Sequence, residues 1–298
     1  MVIIRILISI ILISSGFILR ADDDAEVSLR SKLKQLVVLR EAVLKAETDE
    51  ERLETNAEFL LFLRDALNHE ESFKTNFDTI PKIGDLRSPD GYFRMLSWNI
   101  PLEDETNKYH CFIQYYDRKE KEYKLVELKK SYHKLKGETR RVFNEKDWYG
   151  ALYYKIIPAK YKKGNRKRHY ILLGWDGHNR YSSMKVIDVM IISPRGIRFG
   201  ADLFDHPEDR NIKRFILEYQ SDAAVSLKYD KHKKRIIFNQ LVPSQPDLEG
   251  MQEFYIPLLE FDAFEWKKRK WRFVHDLDVR MDVREKPYNF PPEEQNSN

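Results

Sequence analysis

The sequence is almost without cysteine: among 298 residues only Cys111 carries a thiol. No intramolecular disulfide can form in any compartment, so stability rests on packing. With no cysteine near the end of the N-terminal apolar run, a lipid-modified N-terminus is excluded as well. Within His110-Cys111-Phe112-Ile113-Gln114 the thiol reads as a small buried hydrophobe on a strand. An excess of charge of one sign is also lacking. The 52 basic and 48 acidic residues leave a net charge of +4, dispersed along the chain, which argues against nucleic acid as a partner; that partner needs a concentrated basic face. There is no G-x-S-x-G elbow, phosphate-binding glycine loop, H-E-x-x-H or C-x-x-C. The eight histidines fall singly, without the paired spacing of zinc sites. Neither a cofactor nor a metal is expected from this inventory.

No apolar run reaches the ~20 residues of a membrane-spanning helix, yet the first nineteen residues come near it. Arg5 supplies a positive start, and Ile6 to Leu19 is apolar apart from Ser9, Ser14, Ser15 and Gly16. The acidic stretch Ala21-Asp22-Asp23-Asp24-Ala25-Glu26 follows. The pattern is that of a signal peptide over residues 1–21, with retention as an uncleaved anchor the alternative. Either way the body is expected outside the cytoplasm, in the periplasm or at the cell surface, because Arg5 stays inside and the acidic stretch crosses. The membrane is touched only through this segment, and only if it is uncleaved.

Past it, the chain changes period once. Leu29, Leu33, Leu36, Val37, Val43 and Leu44 recur at helical spacing, and Thr48-Asp49-Glu50-Glu51 is a capping box opening a second helix. That helix is expected to bury Leu53, Ala57, Leu60, Leu61 and Leu67. Residues 22–79 therefore read as an αα-hairpin. From Pro81 on, short aromatic and β-branched runs alternate with clusters of Asp, Gly, Asn, Lys and Pro. Residues 80–283 read as one all-β body, an antiparallel meander of about 11 to 14 strands. So many strands must roll or split, with a propeller-like arrangement as the alternative. A tail rich in Pro, Glu and Asn, 284–298, is expected to be disordered.

Four stretches carry a resemblance. Ser88-Pro89-Asp90-Gly91-Tyr92-Phe93-Arg94-Met95-Leu96-Ser97-Trp98-Asn99, Leu172-Leu173-Gly174-Trp175-Asp176-Gly177, Lys213 to Tyr219 with Ser226 to Tyr229, and Lys267-Lys268-Arg269-Lys270-Trp271 stand in that order. Together they resemble an uncharacterised family of exported bacterial proteins. The resemblance implies a signal peptide and a β-rich body, with no assigned activity. The chain departs from the pattern at His178, where Asn is expected, and at Arg269, where Gly is expected.

Trp175, Asp176, Asn179 and Arg180 form the foremost ligand-binding candidate. Asp-Gly is a hairpin signal, and a Trp platform flanked by polar groups suits a sugar or peptide. Metal binding through Asp176 and Asn179 lacks the calcium-loop pattern. Asp202, Asp205 and His206 offer carboxylates beside an imidazole, and the basic run Tyr161 to Arg168 reads as a solvated hairpin tip. The reading is an exported cell-envelope protein that binds a glycan, peptide or protein partner without catalysis. The alternative is an exported, glycan-directed hydrolase using two distant carboxylates, which would leave no local motif.

Overall fold

The structure, a computed structural model, describes residues 29–117, 119–130, 138–159 and 167–278. The expected signal peptide, the tail and most of the basic run lie outside these residues. The protein is mainly β, with two helices at the N-terminus followed by antiparallel sheets, and no sheet closes into a barrel among the described residues. No helix among them is long and apolar enough to cross a membrane.

Helix α1 covers residues 29–45 and α2 covers Asp49–Leu67. The capping box forms: the Thr48 hydroxyl accepts the Glu51 amide at 3.2 Å, while the Glu51 carboxylate reaches one residue beyond the cap to the Glu47 amide, 3.1 Å. In α1 the heptad-spaced Leu29, Leu36 and Val43 are buried as expected, and Leu33 and Val37 are half-buried. The buried face of α2 is rotated from the expected one. Asn56, Phe59, Leu63, Ala66 and Leu67 face inward, whereas Ala57 and Leu61 are exposed. Phe59 fixes the rotation by meeting Trp98 edge-on at 5.3 Å.

The meander splits into three sheets. The first runs β1 (Gly84–Arg87), β2 (Phe93–Pro101), β3 (Asn107–Asp117) and β4 (Glu122–Leu128), in chain order. The second contains β5 (Phe143–Asn144), β6 (Leu152–Ala159), β7 (Arg168–Asp176), β8 (Ser182–Ser193) and β9 (Gly196–Phe199), in the order β5-β9-β8-β7-β6. The third contains β10 (Phe204–Asp205), β12 (Leu227–Asp230), β13 (Arg235–Pro243), β14 (Tyr255–Lys267) and β15 (Lys270–Val274), ordered β10-β15-β14-β13-β12. Strand β11 (Phe215–Gln220) pairs with the first half of β8, and β9 pairs with its last residues. Among the described residues only β10 against β15 is a parallel strand pair. Gly200, at φ +95°, ends β9 and lets the chain leave the second sheet for the third; a Cβ there would lie 2.8 Å from the Arg141 carbonyl.

Four layers result, because each sheet finds apolar partners on the next. Leu96, Trp98 and Phe112 of the first sheet pack under the helices. Its opposite face, with Met95, Cys111 and Ile113, meets Tyr170, Leu172, Val186 and Met190 of the second sheet. Ile171, Leu173, Ile187 and Val189 then meet Phe204, Ile236, Phe238 and Phe264 of the third. β7 and β8 are covered on both faces, which is why they read as nearly unbroken apolar runs. Burial pushes the Cys111 thiol well up, so it behaves as the inert hydrophobe its surroundings called for.

The turn joining β14 and β15 puts Arg269 in a conformation that favours glycine. Lys268 and Arg269 both have positive φ, +51° and +65°, between the paired Lys267 and Lys270. That is the geometry in which Asn-Gly is favoured, and Arg269 bears the cost of a Cβ there. Arg269→Gly is expected to stabilise the protein by about 0.5–1 kcal/mol, the steric relief less the added chain entropy. A lower urea midpoint for the variant would contradict this turn geometry.

Candidate functional site

A cavity of about 1020 Å³ lies between β11 and the face of the third sheet. Phe238 and the fully buried Phe264 meet at 5.7 Å beneath it, and Phe215 meets Phe264 edge-on at 5.0 Å. Phe273, half-buried on β15, stands 4.5 Å from the His206 ring. Aromatic faces thus form one side of the space.

Polar groups form the other, and most are already oriented. Asp262 is buried on β14, and its Oδ1 accepts from the Gln240 side chain at 2.9 Å, the Asp276 amide at 3.1 Å and His275 Nδ1 at 3.0 Å. A carboxylate cannot donate, so Nδ1 donates to Asp262, and Nε2 lies 3.4 Å from Asp276 Oδ2. Asp262, His275 and Asp276 therefore bring three ligand atoms within 4.8 Å of one another, the one such group among the described residues. Glu218 accepts from Ser182 Oγ at 2.6 Å, and Arg272 Nε lies 3.8 Å from Asp205. Burial lowers the His206 pKa, opposed by Glu208, Asp209 and Asp262.

Of the sequence candidates Asp202, Asp205 and His206, the last two line this cavity, while Asp202 pairs with Lys270 at 3.2 Å outside it. Asp262, His275, Gln240 and Arg272 carry no sequence signal. Gln240 sits on β13, Asp262 on β14, Arg272 on β15 and His275 just past its end, and the pairing of these strands brings them together.

The Trp-Asp-Gly loop lies elsewhere, at the end of β7. Trp175 is half-buried and bonded to the Tyr219 hydroxyl. Asp176 is buried beside Tyr109, with Oδ1 unpartnered. The Gly177 amide donates to Tyr109 Oη and the Gly177 carbonyl accepts from Asn107, both at 2.7 Å. Glycine is required because a Cβ would fall 2.5 Å from the Trp175 ring. These bonds tie the second sheet to the first. Burial raises the Glu138 pKa, and the nearby Asp176 charge raises it further. Asn179 caps its own loop by accepting the Tyr181 and Ser182 amides, 2.7 and 3.1 Å. Arg180 pairs with Glu105 at 3.0 Å and lines a smaller cavity of about 270 Å³ with Tyr181. The four residues do not line a common cavity among the larger ones. In the basic run, Arg168 pairs with Asp90 at 2.9 Å over the Tyr92 ring.

No protein-family model, curated protein or solved structure matches the chain, so what its cavity does is read from its own side chains.

Proposed function

We propose that this is an exported cell-envelope binding module that holds a polar, ring-bearing ligand, an envelope glycan or peptide, in the cavity over the third sheet. The observation that carries the reading is the pairing of aromatic faces, Phe215 and Phe273, with preoriented polar groups, Asp262, Gln240 and Arg272, around one large open space. Stacking supplies affinity and fixed hydrogen-bonding groups supply selectivity. The resemblance to exported proteins and the Arg5 to Leu19 pattern support the location.

Binding without catalysis is favoured over hydrolysis because three of the four carboxylates that line the cavity, all but Glu208, are engaged. Asp262 holds three donors, Glu218 holds Ser182 and Asp205 faces Arg272. A glycosidase needs one carboxyl free to give a proton and another free to attack or to activate water.

The test uses mature protein recovered from the envelope, its N-terminus expected by mass spectrometry between about residue 17 and 27. Calorimetry against envelope oligosaccharides and peptides should find a ligand, and Arg272→Ala should weaken it at least tenfold. Arg272 is half-exposed, so its loss leaves the fold intact. Equal affinity in the variant, or turnover of the ligand by wild type, would overturn the reading.

A further inference from the structure

At the rim of the cavity, one histidine stands between two carboxylates that have no basic partner. Among the described residues neither Asp262 nor Asp276 pairs with Lys or Arg; their only ion-pair neighbour is His275. We propose that His275 Nε2 and Asp276 bind a divalent first-row cation, typified by Zn²⁺, with Asp262 holding the imidazole from behind.

Three observations carry this. Asp262, 8% exposed, accepts Nδ1–H through Oδ1 at 3.0 Å and so turns Nε2 toward Asp276. A carboxylate behind a metal-binding histidine is the usual outer partner, because it orients the ring and raises its basicity. Second, Nε2 and Asp276 Oδ2 lie 3.4 Å apart. Two ligands at about 2.1 Å from one ion, at a tetrahedral angle, are separated by about that distance. Third, Gln240 Nε2 donates to Oδ1 of both carboxylates, 2.9 Å to Asp262 and 2.6 Å to Asp276, so the ligand and its support are held in one register.

The imidazole selects the metal class. Ca²⁺ and Mg²⁺ prefer all-oxygen shells, whereas an imidazole and a carboxylate together suit Zn²⁺ and its neighbours. Only two protein ligands are present, and His275, which carries Nε2, lines the cavity. The remaining coordination positions are open, whereas a structural zinc site fills all four with protein ligands. A ligand in the cavity with a free oxygen could complete the shell, but the site binds the ion without it.

The experiment titrates the full metal-free protein with Zn²⁺ alone, with Ca²⁺ as comparison and Co²⁺ absorption as the signature of nitrogen ligation. One equivalent of Zn²⁺ should bind, with Ca²⁺ at least tenfold weaker. His275→Gln and Asp276→Asn should each abolish the equivalent. Their side chains are 64% and 68% exposed, so both variants should keep the wild-type melting temperature without metal. Asp262→Asn should weaken binding about 10–100-fold, the loss typical of an outer-sphere partner. No Zn²⁺ uptake by wild type, uptake unchanged in either exposed variant, or equal preference for Ca²⁺ would overturn the assignment. None of these results depends on the organic ligand, so the binding-module reading stands or falls separately.

Discussion

Arg214→Met should lower stability by about 3–5 kcal/mol, the cost of leaving a buried charge without its partner. Arg214 and Asp188 are both fully buried and 3.0 Å apart, between the first and second sheets. Asp188 also accepts the Tyr153 hydroxyl at 3.0 Å and the Val189 amide at 2.8 Å. Arg214 donates to the Glu138 and Arg141 carbonyls, at 2.7 and 3.3 Å, and stacks over Phe143 at 4.4 Å. Removing the guanidinium therefore leaves a carboxylate in the core with two neutral donors, and frees two carbonyls of the loop before β5. The double variant Arg214→Met/Asp188→Leu removes both charges and should recover a large part of the loss, because the pair itself contributes little beyond its own desolvation. Urea unfolding of the two variants measures the difference. A cost under about 1 kcal/mol for Arg214→Met would mean that the pair is hydrated.

Arg214 shows how unevenly the sequence reports structure. It lies in Lys213 to Tyr219, where the flanking apolar residues announce a strand, and β11 forms there. Nothing in the run marks Arg214 itself as buried, because its partner is 26 residues away and its carbonyls about 75. Periodicity exposes strands well when both faces are apolar, as in β7 and β8. In β14 it fades, because Pro257 and the bulge opposite Asn239 to Leu241 break the alternation, and Leu259 is 94% exposed. The leucines of α2 do not mark its buried face; Phe59 and Asn56 do, and their partners Trp98 and His110 lie on β2 and β3, far along the chain.

The same logic governs the site. Trp175-Asp176-Gly177 is conspicuous because its residues are adjacent, and the Gly177 backbone bonds to Tyr109 and Asn107 hold two sheets together there. Asp205 and His206 were legible for the same reason and do reach the cavity. Asp262, Gln240 and His275 converge only through the pairing of β13, β14 and β15, so no local pattern could have named them.

Acidification should destabilise the protein through His110 by about 2–3 kcal/mol between pH 6.5 and 4. The Asn56 amide joins two rings: its Oδ1 accepts the Trp98 indole N–H at 2.9 Å, so its Nδ2 must donate to His110 Nε2, 3.1 Å away. His110 is thus held neutral with Nε2 as acceptor, stacked on Trp98 at 5.2 Å. Burial, then Arg40, then Lys108 lower its pKa from 6.5 to about 4. Above pH 6.5 the ring is neutral folded or unfolded and costs nothing. As pH falls toward 4 the unfolded chain takes up a proton that the folded chain refuses, and stability is lost; below 4 the loss is complete. The full shift corresponds to about 3.4 kcal/mol, discounted here because the residue is only half-buried. His110→Gln keeps an acceptor for Asn56 and cannot ionise, so its stability should fall less over the same window. Subtracting the two pH profiles cancels His206 and the carboxylates, which titrate in both proteins. Superimposable profiles would show that the proton enters the folded state freely and that the Trp98-Asn56-His110 chain does not fix the tautomer.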